Sequence, residues 1–145
     1  ILSGSIGDGH SVASAIALGA YFAYLGTRFI ATEEANAEPE YKKMLEESAA
    51  KDIVYSSLFT GVLGNYLKPS IENAGMDPEN LPDADKTSMN FGSGGNTDSK
   101  AWKDIWGSGQ GIGGIQDSPS VSELVGRLKK EYEEAFNEFK SKMEV

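Results

Sequence analysis

Residues 1–32 read ILSGSIGDGHSVASAIALGAYFAYLGTRFIAT, and this stretch decides the fold. The apolar pair Ile1-Leu2 meets a small-residue turn, Ser3-Gly4-Ser5-Ile6-Gly7-Asp8-Gly9. Val12 and Ile16, with alanines between them, then recur at helical spacing until Gly19 stops the pattern. A second apolar run, Tyr21 to Leu25, ends at Gly26-Thr27. Strand, glycine-rich loop, helix, strand and glycine-bearing loop make a βαβ unit. Its two strands are expected to be parallel, with a right-handed crossover. Both small-residue loops then fall at the carboxyl ends of neighbouring strands, where α/β folds place ligands.

Glycine lets a backbone approach a ligand closely, and amides outside a ladder can point at an anion. A phosphate between the loops would meet N–H donors from Gly4, Ser5, Gly26 and Thr27, and hydroxyls from Ser5 and Thr27. The helix beginning near Asp8 to Ser11 would aim its positive end at the same place. The plainer reading stands beside this one: Gly4, Gly7 and Gly9 simply make a tight strand-to-helix connection. Spacing alone does not separate the two.

Working outward, the 145 residues suffice for one domain with a modest core. The chain opens at Ile1, inside the apparent strand, so it is expected to be part of a longer protein. A parallel strand at that edge leaves backbone and apolar surface uncovered, so the piece alone is expected to be poorly soluble or only partly ordered. A net charge of −9 argues against nucleic acid and against an anionic membrane surface. No apolar run reaches the length of a membrane span. The absence of Cys excludes disulfides and thiolate chemistry and fits a reducing, cytoplasmic setting.

Beyond Thr32, Glu33-Glu34-Ala35-Asn36-Ala37-Glu38 reads as an acidic connector. Pro39 opens a helix with Tyr41, Met44, Leu45 and Ser48 on one face, its charges solvated, ending at Lys51-Asp52. Ile53, Val54, Tyr55, Leu58 and Phe59 form a β-prone run broken by Gly61 and Gly64. Asn65 is expected to cap a helix through Leu67, Ile71 and Ala74, with Gly75 as its stop. Residues 83–100 are polar and glycine-rich; Gly92 to Asn96 read as a linker or lid. Residues 101–106 fit a short helix capped by Asp98 or Ser99, with Trp102 and Trp106 as packing anchors. The glycine-rich run Gly107 to Gly114 that follows is expected to touch the pocket. Ser120 and Glu123 then make a capping box. The helix behind it carries an apolar stripe, Val121, Leu124, Val125, Leu128, Tyr132, Ala135, Phe136, Phe139 and Met143, expected to dock on the chain's own core.

Reactive groups are sparse. His10 is the only histidine, and it fits loop hydrogen bonding or solvent better than catalysis. No metal set or nucleophile–base pair is recognisable. Arg28 follows Gly26-Thr27; it can approach an anion or, in an alternating strand, turn away into an ion pair.

SGSIGDGHSVASAIALGA and YLGTRFIATEEANA resemble the C-terminal part of nitronate monooxygenases, the former 2-nitropropane dioxygenases. FTGVLGNYL, AWKDIWGSGQGIGGI and SVSELVGRLKKEY extend the resemblance over nearly the whole chain. The resemblance implies an α/β fold, the C-terminal part of an FMN-binding (β/α)8 TIM barrel plus an α-helical extension. It implies residues 1–32 as the last two βα units, 33–100 as a mostly helical substrate-domain extension with a flexible loop, and 101–145 as pocket loop and closing helix. It also implies that Gly4, Ser5, Tyr24, Leu25, Gly26 and Thr27 hold FMN by its phosphate. The implied reaction is oxidative denitrification of an alkyl nitronate with O2. Related barrels act instead as enoyl-thioester or NADH:quinone reductases, and a truncated binding module is a further alternative. The family's catalytic His lies in a segment this chain does not contain, so no catalytic residue is carried over. Two positions depart from the family pattern. Ser5 stands where the family usually has the second Gly of a pair, and Tyr21 where a small acidic residue is usual. A left-handed backbone at Ser5 would cost about 1–2 kcal/mol.

Overall fold

Leu2–Ser3 (β1) and Ala23–Tyr24 (β2) pair in parallel, with Leu2 opposite Ala23 and Ser3 opposite Tyr24. A computed structural model of the chain describes residues 1–83 and 104–143. Between the strands lies α1, Gly9–Ala17. Asp8 caps it: the Ser11 amide donates to Asp8 Oδ1 at 2.7 Å, and the Asp8 amide donates to Ser11 Oγ at 3.1 Å. The helix ends at Leu18, with the left-handed Gly19 (φ 92°) after it. The βαβ unit is therefore present, and its strands are parallel.

The chain divides into two compact units, Ile1–Glu47 with Gly109–Val145, and Ser48–Ser108. In the first unit a single helical turn, α2 (Thr27–Ile30), leaves β2, and α3 (Pro39–Glu47) follows. The helix of Pro39 stops at Glu47, short of the expected Lys51-Asp52; residues 50–52 form a separate 3₁₀ turn. Its polar face is not wholly solvated: Glu46 Oε1 accepts from Ser118 Oγ at 2.6 Å. Nor is the acidic connector idle. Glu34 accepts the Val121 amide at 2.8 Å, placing a carboxylate on the positive end of the last helix.

That helix, α5, runs over Val121–Met143, with the expected box between Ser120 and Glu123. It packs along α1. The helix that packs on α1 thus arrives only after the intervening chain. The core of this unit gathers Ala15, Ala31, Leu45, Ile112, Ile115 and Leu124.

The stripe on α5 docks only in part. Leu124 is buried, but Phe136, Phe139 and Met143 are 58%, 59% and 68% exposed. Length explains this: at 1.5 Å per residue the 23-residue α5 is roughly 35 Å long and the nine-residue α1 roughly 14 Å. The shorter helix cannot cover the longer one.

The second unit contains an antiparallel hairpin, β3 (Ile53–Ser56) with β4 (Gly64–Leu67), then α4 (Lys68–Asn73). Here the expectation for Asn65 fails. It lies in β4 opposite Tyr55, and the helix starts after Leu67 without a side-chain cap. Tyr66 and Leu67 supply alternating β character that a cap at Asn65 would waste. Gly75 (φ 81°) closes α4 as expected. Trp106 lies in extended backbone beside β4: the Leu67 amide donates to its carbonyl at 2.8 Å, and its own amide donates to Ser70 Oγ at 3.0 Å. The loop at Gly92 to Asn96, Trp102 and the caps at Asp98 or Ser99 lie outside the described residues. Among the described residues, no helix is long and apolar enough to cross a membrane.

Candidate functional site

The in-register pairing of Ser3 with Tyr24 sets the two following turns side by side. Between them lies a cavity of about 160 Å³. Ser3 to Gly7 form one wall, and Tyr24, Gly26, Thr27 and Arg28 another. A third wall, Gly109, Gly111 and Ile115, comes from the glycine-rich run before α5. Of the six expected residues, Gly4, Ser5, Tyr24, Gly26 and Thr27 line this cavity; Leu25 does not.

The backbone here leaves donors without protein partners beside open space. Gly4 (φ 94°) and Ser5 (φ 54°) are both left-handed, so the chain reverses and its amides turn out of the strand. A Cβ built at Gly4 or Gly26 would meet nothing within 4 Å, so both glycines face open space. Among the described residues, no protein acceptor takes the amide hydrogens of Ser5, Gly26 or Thr27. Thr27 Oγ1 accepts the Gly109 amide at 2.8 Å, which leaves its own hydrogen free to donate. This donor set suits a phosphate group. The strain at Ser5 is real, since a side chain in this backbone region costs about 1–2 kcal/mol relative to glycine.

One expectation about neighbouring charges fails, and at Arg28 the ion-pair alternative is the one found. The N-terminus of α1 is not open to an anion. Its Gly9 amide donates to Glu131 Oε2 at 2.8 Å, and its Ser11 amide to Asp8. Two carboxylates of the chain already occupy the positive end of this helix. Asp8 lies below the usual carboxylate range; partial burial opposes this, and the Ser11 amide and hydroxyl outweigh it. Gly9 serves packing: a Cβ there would lie 2.2 Å from the Leu128 carbonyl oxygen. Gly9 thus has a role that neither reading named, close packing against α5, while Gly4 faces the cavity.

Arg28 sits in the turn of α2, not in an alternating strand. It is 3% exposed and bonds Asp117 Oδ1 at 2.8 Å, the Asp117 carbonyl at 3.2 Å and the Ala31 carbonyl at 2.9 Å. Burial works against its charge, and Asp117 supports it. Arg127 bonds both oxygens of the same carboxylate. That bond, and then Arg28, hold Asp117 below the usual carboxylate range despite desolvation. The Arg28 charge thus lies beside the cavity and is spent on Asp117.

His10 is exposed on α1 and does not line the cavity. Glu131 and Asp117 escaped the sequence reading, because each sits among other charges on or near α5 with nothing to mark it. The third wall had a signal, the run of glycines at 107–114.

The nitronate monooxygenase family profile matches residues 1–131. A nitronate monooxygenase of Paraburkholderia phytofirmans is 30% identical over 97% of the chain, which spans 39% of that relative. Among solved structures, FabK from Thermotoga maritima superposes with a TM-score of 0.66 at 21% identity, over 96% of this chain and 45% of that one. A nitroalkane oxidase from Streptomyces ansochromogenes gives 0.63 at 21%, over 94% and 40%. The fold is α/β, the C-terminal part of a (β/α)8 barrel with an extension. By its profile and its relative, the chain belongs to the nitronate monooxygenase family, a family of flavin-dependent oxidoreductases.

Proposed function

We propose that this chain carries the phosphate end of an FMN site in an enzyme that oxidises alkyl nitronates with O2. The observation that carries the reading is the cradle itself: unclaimed amides at Ser5, Gly26 and Thr27 around open space at Gly4 and Gly26. Gly4, Ser5, Gly26 and Thr27 would hold the phosphate, with Tyr24 and Leu25 flanking the second turn. At about 160 Å³ the cavity suits a phosphate and the start of a ribityl chain; whole-ligand pockets run from roughly 300 Å³ upward. The flavin ring therefore belongs outside this cavity. When bound, the flavin supplies the redox chemistry. The chain's residues bind and orient it, and Arg28–Asp117 fixes the turn that carries Thr27. No residue of this chain is assigned to proton transfer.

Titrating the chain with FMN and with riboflavin, by quenching of flavin fluorescence, tests the reading. Saturable FMN binding at least tenfold tighter than riboflavin is expected. Gly26→Trp, which fills the cavity from a position with no neighbour within 4 Å, is expected to abolish it in a chain whose circular dichroism is unchanged. Equal affinity for both flavins, or FMN binding that survives Gly26→Trp, would sink the reading. The same cradle serves a reductase of this barrel class equally well. Nitronate turnover against NADH-driven flavin reduction in a protein of the relatives' full length separates the two. The family profile and the 30% relative favour the nitronate.

A further inference from the structure

We propose that Gly111 sets the preference for a phosphorylated flavin, as a positioning residue beneath the phosphate turn and not as a contact of the phosphate. This inference rests on the flavin-phosphate reading above. Gly111 is not among the left-handed residues, so glycine is not needed there for backbone freedom. It is needed for proximity. A Cβ at 111 would lie 2.9 Å from Ser5 Cα, 3.0 Å from its carbonyl carbon and 3.1 Å from its carbonyl oxygen. These are backbone atoms, which cannot swing aside as a side-chain tip does.

Ser5 is the one described non-glycine residue with a left-handed backbone. Such a conformation persists only where its surroundings hold it. Gly111 is what Ser5 rests on. Two residues earlier, the Gly109 amide bonds Thr27 Oγ1 at 2.8 Å. The segment from Gly109 to Gly111 therefore touches both halves of the cradle, one by contact and one by hydrogen bond, and fixes their separation. A tetrahedral anion needs several donors converging on one point, so it feels a shift of the Ser5 amide. Riboflavin, which lacks the phosphate, does not.

The test titrates the full chain with FMN and riboflavin and follows thermal unfolding alongside. Gly111→Ala is expected to weaken FMN at least tenfold and to leave riboflavin unchanged. Gly114→Ala, whose Cβ meets nothing within 4 Å, is expected to change neither. Unchanged FMN affinity in folded Gly111→Ala, or equal losses for both flavins, overturns the inference. If Gly111→Ala does not fold, Gly109→Ala takes its place. Its Cβ would sit 3.2 Å from Thr27 Oγ1, and a smaller fall in the same affinity ratio is expected; an unchanged ratio overturns the inference. A wild-type chain without preference for FMN overturns the flavin-phosphate reading, and this inference falls with it. A wild-type preference that survives in the variants overturns this inference alone.

Discussion

The turn at Gly4-Ser5 and the helix start at Gly9 lie a few residues apart, are both glycine-rich, and both offer amides to an anion. They are used in opposite ways. At Gly9 the donors are taken by Glu131 and Asp8, and the missing Cβ admits the backbone of α5. At Gly4 the missing Cβ opens onto empty space, and the next amide is unclaimed. The same residue type thus marks a packing contact in one place and, on the proposed reading, a ligand surface in the other. What separates them is the occupant of the space in front of the backbone: another helix, or nothing.

Substitutions at these two places test that contrast. The largest effect is expected from Gly9→Ala, because its Cβ would meet the Leu128 carbonyl oxygen at 2.2 Å. A loss of about 3 kcal/mol in urea unfolding is expected, whereas Gly126→Ala, on α5 with open space at its Cβ, should gain about 1 kcal/mol. Equal responses from the two would break the comparison. Next is Glu131→Ala, which removes the acceptor of the Gly9 amide and is expected to cost about 1–2 kcal/mol. A stability unchanged within error would mean that water caps this helix equally well.

On the open side, Ser5→Gly relieves the left-handed side chain and is expected to gain about 0.5–1 kcal/mol after the added unfolded-state entropy. A loss of stability would show that the Ser5 side chain contributes more than its strain costs. The smallest effect is electrostatic. Asp117 has a lowered folded pKa, so its contribution is fully present above the ordinary carboxylate value and is lost as pH falls through the lower one. Urea midpoints at pH 7 and pH 3 should therefore differ less in Asp117→Asn than in wild type. An unchanged difference would remove Asp117 from the acid response.

The βαβ unit, the glycine stops of α1 and α4 and the capping box of α5 were legible because each rests on local chemistry: hydrophobic period, a left-handed glycine, a Ser-x-x-Glu spacing. The cradle's two turns were legible for the same reason. The hairpin was not, since β4 depends on its pairing with β3 and Asn65 alone reads equally well as a cap. Nor were the partners of Gly9, Arg28 and Val121 legible. Glu131, Asp117 and Glu34 are carboxylates among many, and only the folded chain selects them. Whether an apolar stripe is covered likewise depends on the length of the helix opposite, which the stripe does not record.

The bonds that join the chain before residue 48 to the chain after residue 108 carry one last consequence. Glu34 holds Val121, Glu46 holds Ser118, Arg28 holds Asp117, and the Glu33 amide bonds the Pro119 carbonyl. Together they clasp the two ends of an insertion. Once the ends are held, the entropy of closing the loop grows only with the logarithm of its length, about 0.6 kcal/mol per doubling. The barrel portion is thus nearly indifferent to how much chain is spliced in at this point. Such a clasp lets an insertion lengthen, shorten or be exchanged while the strands and turns of the first unit stay as they are.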